Sequence, residues 1–180
     1  MSENRSIQGL VREMTEQDLD LVLQWRNHID VRRYMFNQKK IALEEHRNWF
    51  ERVSQDSSRH QLIFEVNNVP SGAINFSLHD SATEADWGFY LAPDAVKGSG
   101  HELGLVALDY AFSKLRLHKV CGEALAFNER SINFHLSLGF KKEVVLRENC
   151  FDGKVCHDVV CFCLLAFEWN QYCRESHDEK

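Results

Sequence analysis

The 180-residue sequence has no internal repeat and no stretch rich in Pro, Gly and Ser that would act as a linker. One domain of ordinary size is therefore predicted over 9–170, with 1–8 and 174–180 as flexible termini. No apolar run reaches the ~18 residues that a membrane-spanning helix needs. The opening stretch, MSENRSIQGLVREMTEQ, has no apolar h-region and does not read as a secretory signal. A cytoplasmic location without a membrane partner is the expectation. Positive charge is also short. Lys and Arg number 21 against 27 Asp and Glu, for a formal charge of −6, which argues against a general nucleic-acid binder. A local basic pocket for a phosphorylated small molecule is compatible with that balance. None of the 6 cysteines falls in a CxxC pair, so no zinc site is predicted. Cys161 and Cys163 alternate in VVCFCLLAF and share one strand face. Free buried thiols are expected for them in a reducing compartment.

Two nucleotide-binding signatures are absent as well. The stretch KGSGHELG, residues 97–104, lacks the Gly-Lys-Ser/Thr of a P-loop. Beyond Gly98 and Gly100 it also lacks the third glycine of a dinucleotide fingerprint. What it does have is two residues without a Cβ between a strand and a helix. There, backbone N–H groups approach an anion closely and the positive helix end adds to the attraction. Such a segment holds a pyrophosphate or is only a turn, and the residues alone leave both open.

Around this loop the pattern is mixed. GLVREM reads as a first strand, and TEQDLDLVLQWRN as a helix with Thr15 at its N-cap and Asp18 three positions on. ALEEHRNWFERVSQ carries Leu43, His46, Trp49, Phe50 and Val53 near helical spacing. Trp25, Trp49 and Trp87 read as core. HQLIFEVNN and VPSGAINFSLHD form a hairpin, and ATEADWGFYLAP a third strand ended by Pro93. A long helix follows the glycines, then the strand HKVCGEALAF, the helix of NERSINFHLSLGF, and a final hairpin turning at Asp152-Gly153. The tail RESHDEK is expected to fray. Strands and helices in this order predict an α/β or α+β domain.

The stretch AVKGSGHELGLVALDYAF resembles the acetyl-CoA loop of the GNAT N-acetyltransferases, Gln/Arg-x-x-Gly-x-Gly/Ala. Gly98 and Gly100 match; Ala95 departs from the first position, where Lys97 is placed to supply charge. LHKVCGEALAFNERSINFHLSLGF resembles the second half of that fold through Asn128, Ser131, Leu138, Gly139 and Phe140. The start of the chain is similar to the subgroup that contains the ribosomal-protein N-acetyltransferases. Within it, WRNHIDVRRYMFNQKKIALEEH, GAINF, ADWGFYLAP, LHKV and DGKVCHDVV are similar to the acetyltransferases of pseudaminic-acid biosynthesis, the PseH type. The resemblance covers about 9–170. It implies the GNAT acyl-CoA fold, with a mixed, mostly antiparallel central sheet flanked by helices. It also implies acetyl transfer from acetyl-CoA, without a metal, to the 4-amino group of a UDP-linked 4-amino-4,6-dideoxy sugar. A homodimer is consistent with it.

The same resemblance distributes roles. Backbone groups of Phe89 and Leu91 would pair with the pantetheine arm. Lys97, Gly98, Ser99, Gly100 and His101 would hold the pyrophosphate. Asn128 and Ser131 would bond the pantetheine and order the helix start. Glu123 is the first candidate for the base that takes the amine proton, with Asp86 and Glu84 as lesser ones. Arg26 and His46 are candidates for the acceptor's phosphates, with Tyr90 and Ser77 nearer the sugar. The family carries a tyrosine where this chain has His135, and that tyrosine donates a proton to the departing thiolate. His135 as a replacement acid is one expectation; a buried histidine with a backbone partner is the other. Two further readings stay open: acetylation of a protein N-terminus or a polyamine, and a non-catalytic acyl-CoA-binding module.

Overall fold

Alternating burial along the strands builds a sheet with two covered faces. The computed structural model describes residues 8–178. Its strands are β1 (Gly9–Glu13), β2 (Arg59–Val66), β3 (Val69–Leu78), β4 (Glu84–Leu91), β5 (Lys119–Leu125), β6 (Lys141–Phe151) and β7 (Cys156–Leu165). They form one seven-stranded sheet in the order β1-β2-β3-β4-β5-β7-β6. Every neighbouring pair is antiparallel except β4 and β5, which run parallel. Helices α1 (Leu19–Asn27), α2 (Ile29–Arg32) and α3 (Leu43–Ser54) connect β1 to β2. Helix α4 (Ser99–Asp109) makes the β4–β5 crossover, α5 (Glu129–Ser137) links β5 to β6, and α6 (Ala166–Asp178) ends the chain.

On one face, Phe64, Phe76, Ala85, Trp87, Val120 and Phe162 pack beneath Leu103, Ala107 and Leu108 of α4, with Leu138 and Trp169. The other face is smaller: Ile63 and Tyr90 meet Leu19, Val22 and Trp25 of α1 and Phe50 of α3. The α1 entry is tied down by one carboxylate. Asp18 accepts from the Thr15 N–H at 2.8 Å and from both terminal nitrogens of Arg12 at 2.8 Å. A 3-10 turn, Glu16–Asp18, therefore precedes the α-helix at the predicted start.

Only three residue pairs bridge β4 to β5: Glu84 with Lys119, Ala85 with Val120, and Asp86 with Cys121. Beyond them β4 runs on beside β3 as far as Leu91, and β5 runs on beside β7 as far as Leu125. The two parallel strands thus diverge into a V-shaped cleft. The inner edge of β4 there has no strand partner.

Two expectations need correcting. Cys163 is not a free thiol, because the β5–β7 register sets it directly opposite Cys121 with Cα atoms 4.2 Å apart, and the two form a disulfide. The described part of RESHDEK is also not irregular, since α6 carries helical backbone to Asp178; Glu179 and Lys180 lie outside the described residues. Trp169 and Tyr172 anchor that helix to the large core. Among the described residues, no helix is long and apolar enough to cross a membrane.

Candidate active site

The glycine loop opens onto the cleft. Gly98 is the N-cap of α4 at φ 96°, a left-handed conformation that a Cβ would disfavour. The loop spends the Ser99 N–H on the Val96 carbonyl at 3.1 Å, and the Ser99 hydroxyl takes the same carbonyl. The N–H groups of Gly100 and His101, in the first helical turn, are then the ones helix geometry leaves for an anion. A Cβ on Gly100 would meet nothing nearer than Leu91 at 3.7 Å, so the approach to this turn is open. Lys97 is exposed beside it. The His101 ring turns the other way and meets the Tyr172 hydroxyl at 3.2 Å. It lines an apolar groove of about 710 Å³ between α4 and α6, away from the cleft.

The cleft walls are aromatic on the large-core face. Phe89 packs its ring 4.6 Å from Phe134 and 4.8 Å from Trp87. At the end of β5, Asn128 caps α5 by accepting the Ser131 N–H at 3.2 Å. His135 lies between the walls and is 1% exposed. The Trp87 indole N–H donates to its Nε2 at 3.2 Å. Its Nδ1–H donates to the Ser131 carbonyl at 2.8 Å. An indole N–H only donates and a carbonyl only accepts, so these partners set the tautomer. Burial pushes the imidazole down to about 4, partly opposed by the Ser131 carbonyl. The ring is a neutral base with both nitrogens engaged, which leaves no N–H for a departing thiolate. This is the buried-histidine alternative, with the added feature that its second partner belongs to β4.

On the opposite face a cavity of about 360 Å³ lies beneath α1 and α3. Arg26, His46 and Tyr90 line it together, as do Asn75, Gly88 and Arg52. Arg26 donates one terminal nitrogen to the Asn37 carbonyl at 2.8 Å, and Nη1 is buried without a partner. Arg32 behaves alike: one nitrogen reaches the Gln38 carbonyl at 3.0 Å and Nε is buried and unpaired. His46 Nε2 is the third such atom, and among the described residues there is no fourth. Burial lowers the Arg26 pKa, and the nearby Arg32 charge lowers it further while Tyr90 opposes. Burial likewise lowers His46 and raises the Tyr90 phenol. Trp49, expected in the core, is half-buried and stacks on His46 at 5.1 Å.

The remaining candidates separate. Ser77 is not among the cavity residues; its hydroxyl takes a hydrogen bond from Arg59. Asp86 and Glu84 both reach His79, at 3.0 and 3.8 Å. Glu123 is exposed on the cavity face of β5, two residues past the last bridged pair and so level with Gly88 of β4. The Cys161 thiol opposite it donates to Glu123 Oε1 at 3.8 Å. Arg32 and Asn75 were missed from the sequence. The run WRNHIDVRR concentrates three arginines in nine residues, a signal for Arg32. Asn75 gave none, since its placement depends on the β3–β4 register that sets it opposite Gly88.

Residues 10–141 match the acetyltransferase (GNAT) domain family. The chain is 28% identical to the acetyltransferase PseH of Campylobacter jejuni over 124 residues, 68% of this chain and 76% of that protein. It is 23% identical to the spermidine N(1)-acetyltransferase of Escherichia coli over 161 residues, 88% of this chain and 87% of that one. The Vibrio cholerae spermidine N-acetyltransferase, solved with CoA and spermine, superposes with a TM-score of 0.85 at 22% identity, covering 91% of this chain and 98% of its own. Its fold is thus shared, including the mixed, mostly antiparallel sheet. The unpaired β4 edge and the open Gly98–Gly100 turn fit acetyl-CoA as co-substrate. The chain belongs to the GNAT acetyltransferase family and is an acyltransferase that moves an acetyl group from acetyl-CoA to an amine.

Proposed function

We propose that the amine belongs to a nucleotide-linked amino sugar, the 4-amino group of a UDP-4-amino-4,6-dideoxy sugar, as in pseudaminic-acid biosynthesis. One observation carries this reading: two half-buried guanidinium groups, Arg26 in the cavity wall and Arg32 beside it, each keep a buried nitrogen without a partner, and among the described residues neither is paired with a carboxylate. Like charges held out of water need a counter-ion, and a diphosphate supplies bidentate acceptors for both. Spermidine acetylation is the alternative that the Escherichia coli relative raises. Arg26 and Arg52 against the single lining carboxylate Glu45 weigh against it, because a polyamine would meet like charge.

In the proposed reaction the diphosphate binds at Arg26, Arg32 and His46, and the sugar extends toward Gly88. Its ammonium then faces Glu123, which takes one proton. The free amine attacks the thioester carbon held at the β4 edge, where backbone N–H groups of Phe89 and Leu91 steady the developing oxyanion. Collapse breaks the C–S bond, the second amine proton passes through solvent to the departing thiolate, and CoA leaves as the thiol. The test is a thermal shift with UDP and with spermidine at equal concentration, followed by product mass with a panel of UDP-4-amino sugars. UDP is expected to raise Tm and Arg26→Ala to abolish that rise. A rise with spermidine alone, together with acetylated spermidine as product, would overturn the assignment.

A further inference from the structure

The two walls of the acetyl-CoA cleft pack through aromatic rings and are hydrogen-bonded to each other through the His135 side chain. β4 and β5 have parted by the level of Trp87, so no backbone ladder sets the width of the opening there. His135 spans it. It accepts from Trp87 on β4 and donates to Ser131 in the first turn of α5. Ser131 in turn donates its N–H to Asn128, so the connection runs from β4 to the α5 cap. Five aromatic rings, of Trp87, Phe89, Phe134, Phe140 and Phe162, lie within 4.7 to 6.0 Å of the imidazole. β5 makes room by omission. A Cβ on Gly122 would stand 2.5 Å from both His135 Nε2 and Trp87 Nε1, too close for the pair to form.

We propose that His135 is a positioning residue which, by tying Trp87 to the α5 first turn, sets the cleft width and hence the seat of the thioester. It does not protonate the leaving thiolate. This rests on the acetyltransferase activity of the family and is independent of the acceptor's identity. A neutral imidazole whose nitrogens both face protein has no proton to give unless it first releases Trp87 or Ser131. Phe89, whose backbone would border the thioester, packs its ring on this one with centroids 5.6 Å apart, so a shift of the imidazole would reach the cofactor through one contact.

The experiment measures acetyl-CoA KM and the pH profile of kcat, with any accepted amine, for His135→Gln, His135→Leu, Trp87→Phe and the His135→Leu/Trp87→Phe double variant. Gln places an acceptor near the Nε2 position and should stay close to the parent. His135→Leu and Trp87→Phe should each raise acetyl-CoA KM about tenfold, well inside the ~100-fold that a 1 Å misplacement can cost. The double variant should do little more than either, because both remove the same link. All should keep the parent's alkaline limb. Losing that limb in both His135 variants but not in Trp87→Phe would make His135 the acid and overturn the proposal; additive effects would do the same. Nitrogen-15 NMR of the unmutated protein is a check that needs no variant. The Nδ1-protonated neutral tautomer should persist when acetyl-CoA binds, and conversion to imidazolium would contradict the proposal.

Discussion

His135 enters the core without its proton, and that has a thermodynamic cost with a definite sign. The unfolded imidazole titrates near 6.5. In the folded chain burial holds it at about 4. Between these values the unfolded chain binds a proton that the folded chain does not, so acidification favours unfolding. Well above pH 6.5 neither state is protonated and the contribution is flat. Crossing the window downward costs up to about 3 kcal/mol. The buried His46 shifts in the same direction. Asp18, whose pKa is lowered mainly by Arg12, loses its contribution below the ordinary carboxylate value and so in a lower window. Tm is therefore expected to be level above about pH 7 and to fall from 6.5 toward 4, with His135→Gln flattening part of that slope. A Tm curve without slope there would show that the imidazole is not held neutral. From the sequence, His135 could be placed on the apolar side of its helix but not paired. Its partner Trp87 is 48 residues away, and only the folded cleft brings them together.

At the scale of elements, local chemistry was legible wherever it repeats. Alternation marked β2, β3 and β4, and the glycines marked the start of α4. Cross-strand neighbours were not legible, because they depend on register. Cys121 and Cys163 are 42 residues apart and meet only through the β5–β7 pairing. That bond closes a long loop, and chain-entropy reasoning assigns such a crosslink roughly 2–4 kcal/mol. Reductant is therefore expected to lower Tm, and a Cys121→Ser/Cys163→Ser double variant to melt at the lower value without responding to reductant. Alkylation of the unfolded, unreduced chain should label Cys150, Cys156, Cys161 and Cys173 alone. Labelling of all six would remove the crosslink from the account. Helix α6 was missed for a different reason. Its sequence, AFEWNQYCRESHD, is polar enough to pass for a tail, and what holds it is Trp169 against Phe112.

Over the whole molecule, charge is divided between the ends of the acceptor face. Arg26 and Arg52 lie on α1 and α3, with Arg32 on α2, whereas burial raises the Cys161 thiol together with the charges of Glu123, Asp86 and Glu143. The proposed acceptor, with phosphates at one end and an ammonium at the other, would match both, and a net charge of −6 conceals that polarity. The sequence singled out Arg26 and His46, two of the three residues with an unpartnered buried nitrogen; Arg32, which stands beside Arg26, needed the fold. The divergence of β4 from β5 also bears on how the chain opens. One sheet is in effect two antiparallel ribbons, β1 to β4 and β5 to β7, laced by three residue pairs. Amide exchange is expected to be fastest, among the central strands, along Trp87–Leu91, where the backbone edge lies open. Acetyl-CoA lying along that edge would close the gap as a further ladder does. Protection should then rise on both ribbons at once, making the co-substrate the last piece of the sheet to be laid down and its departure a partial unzipping.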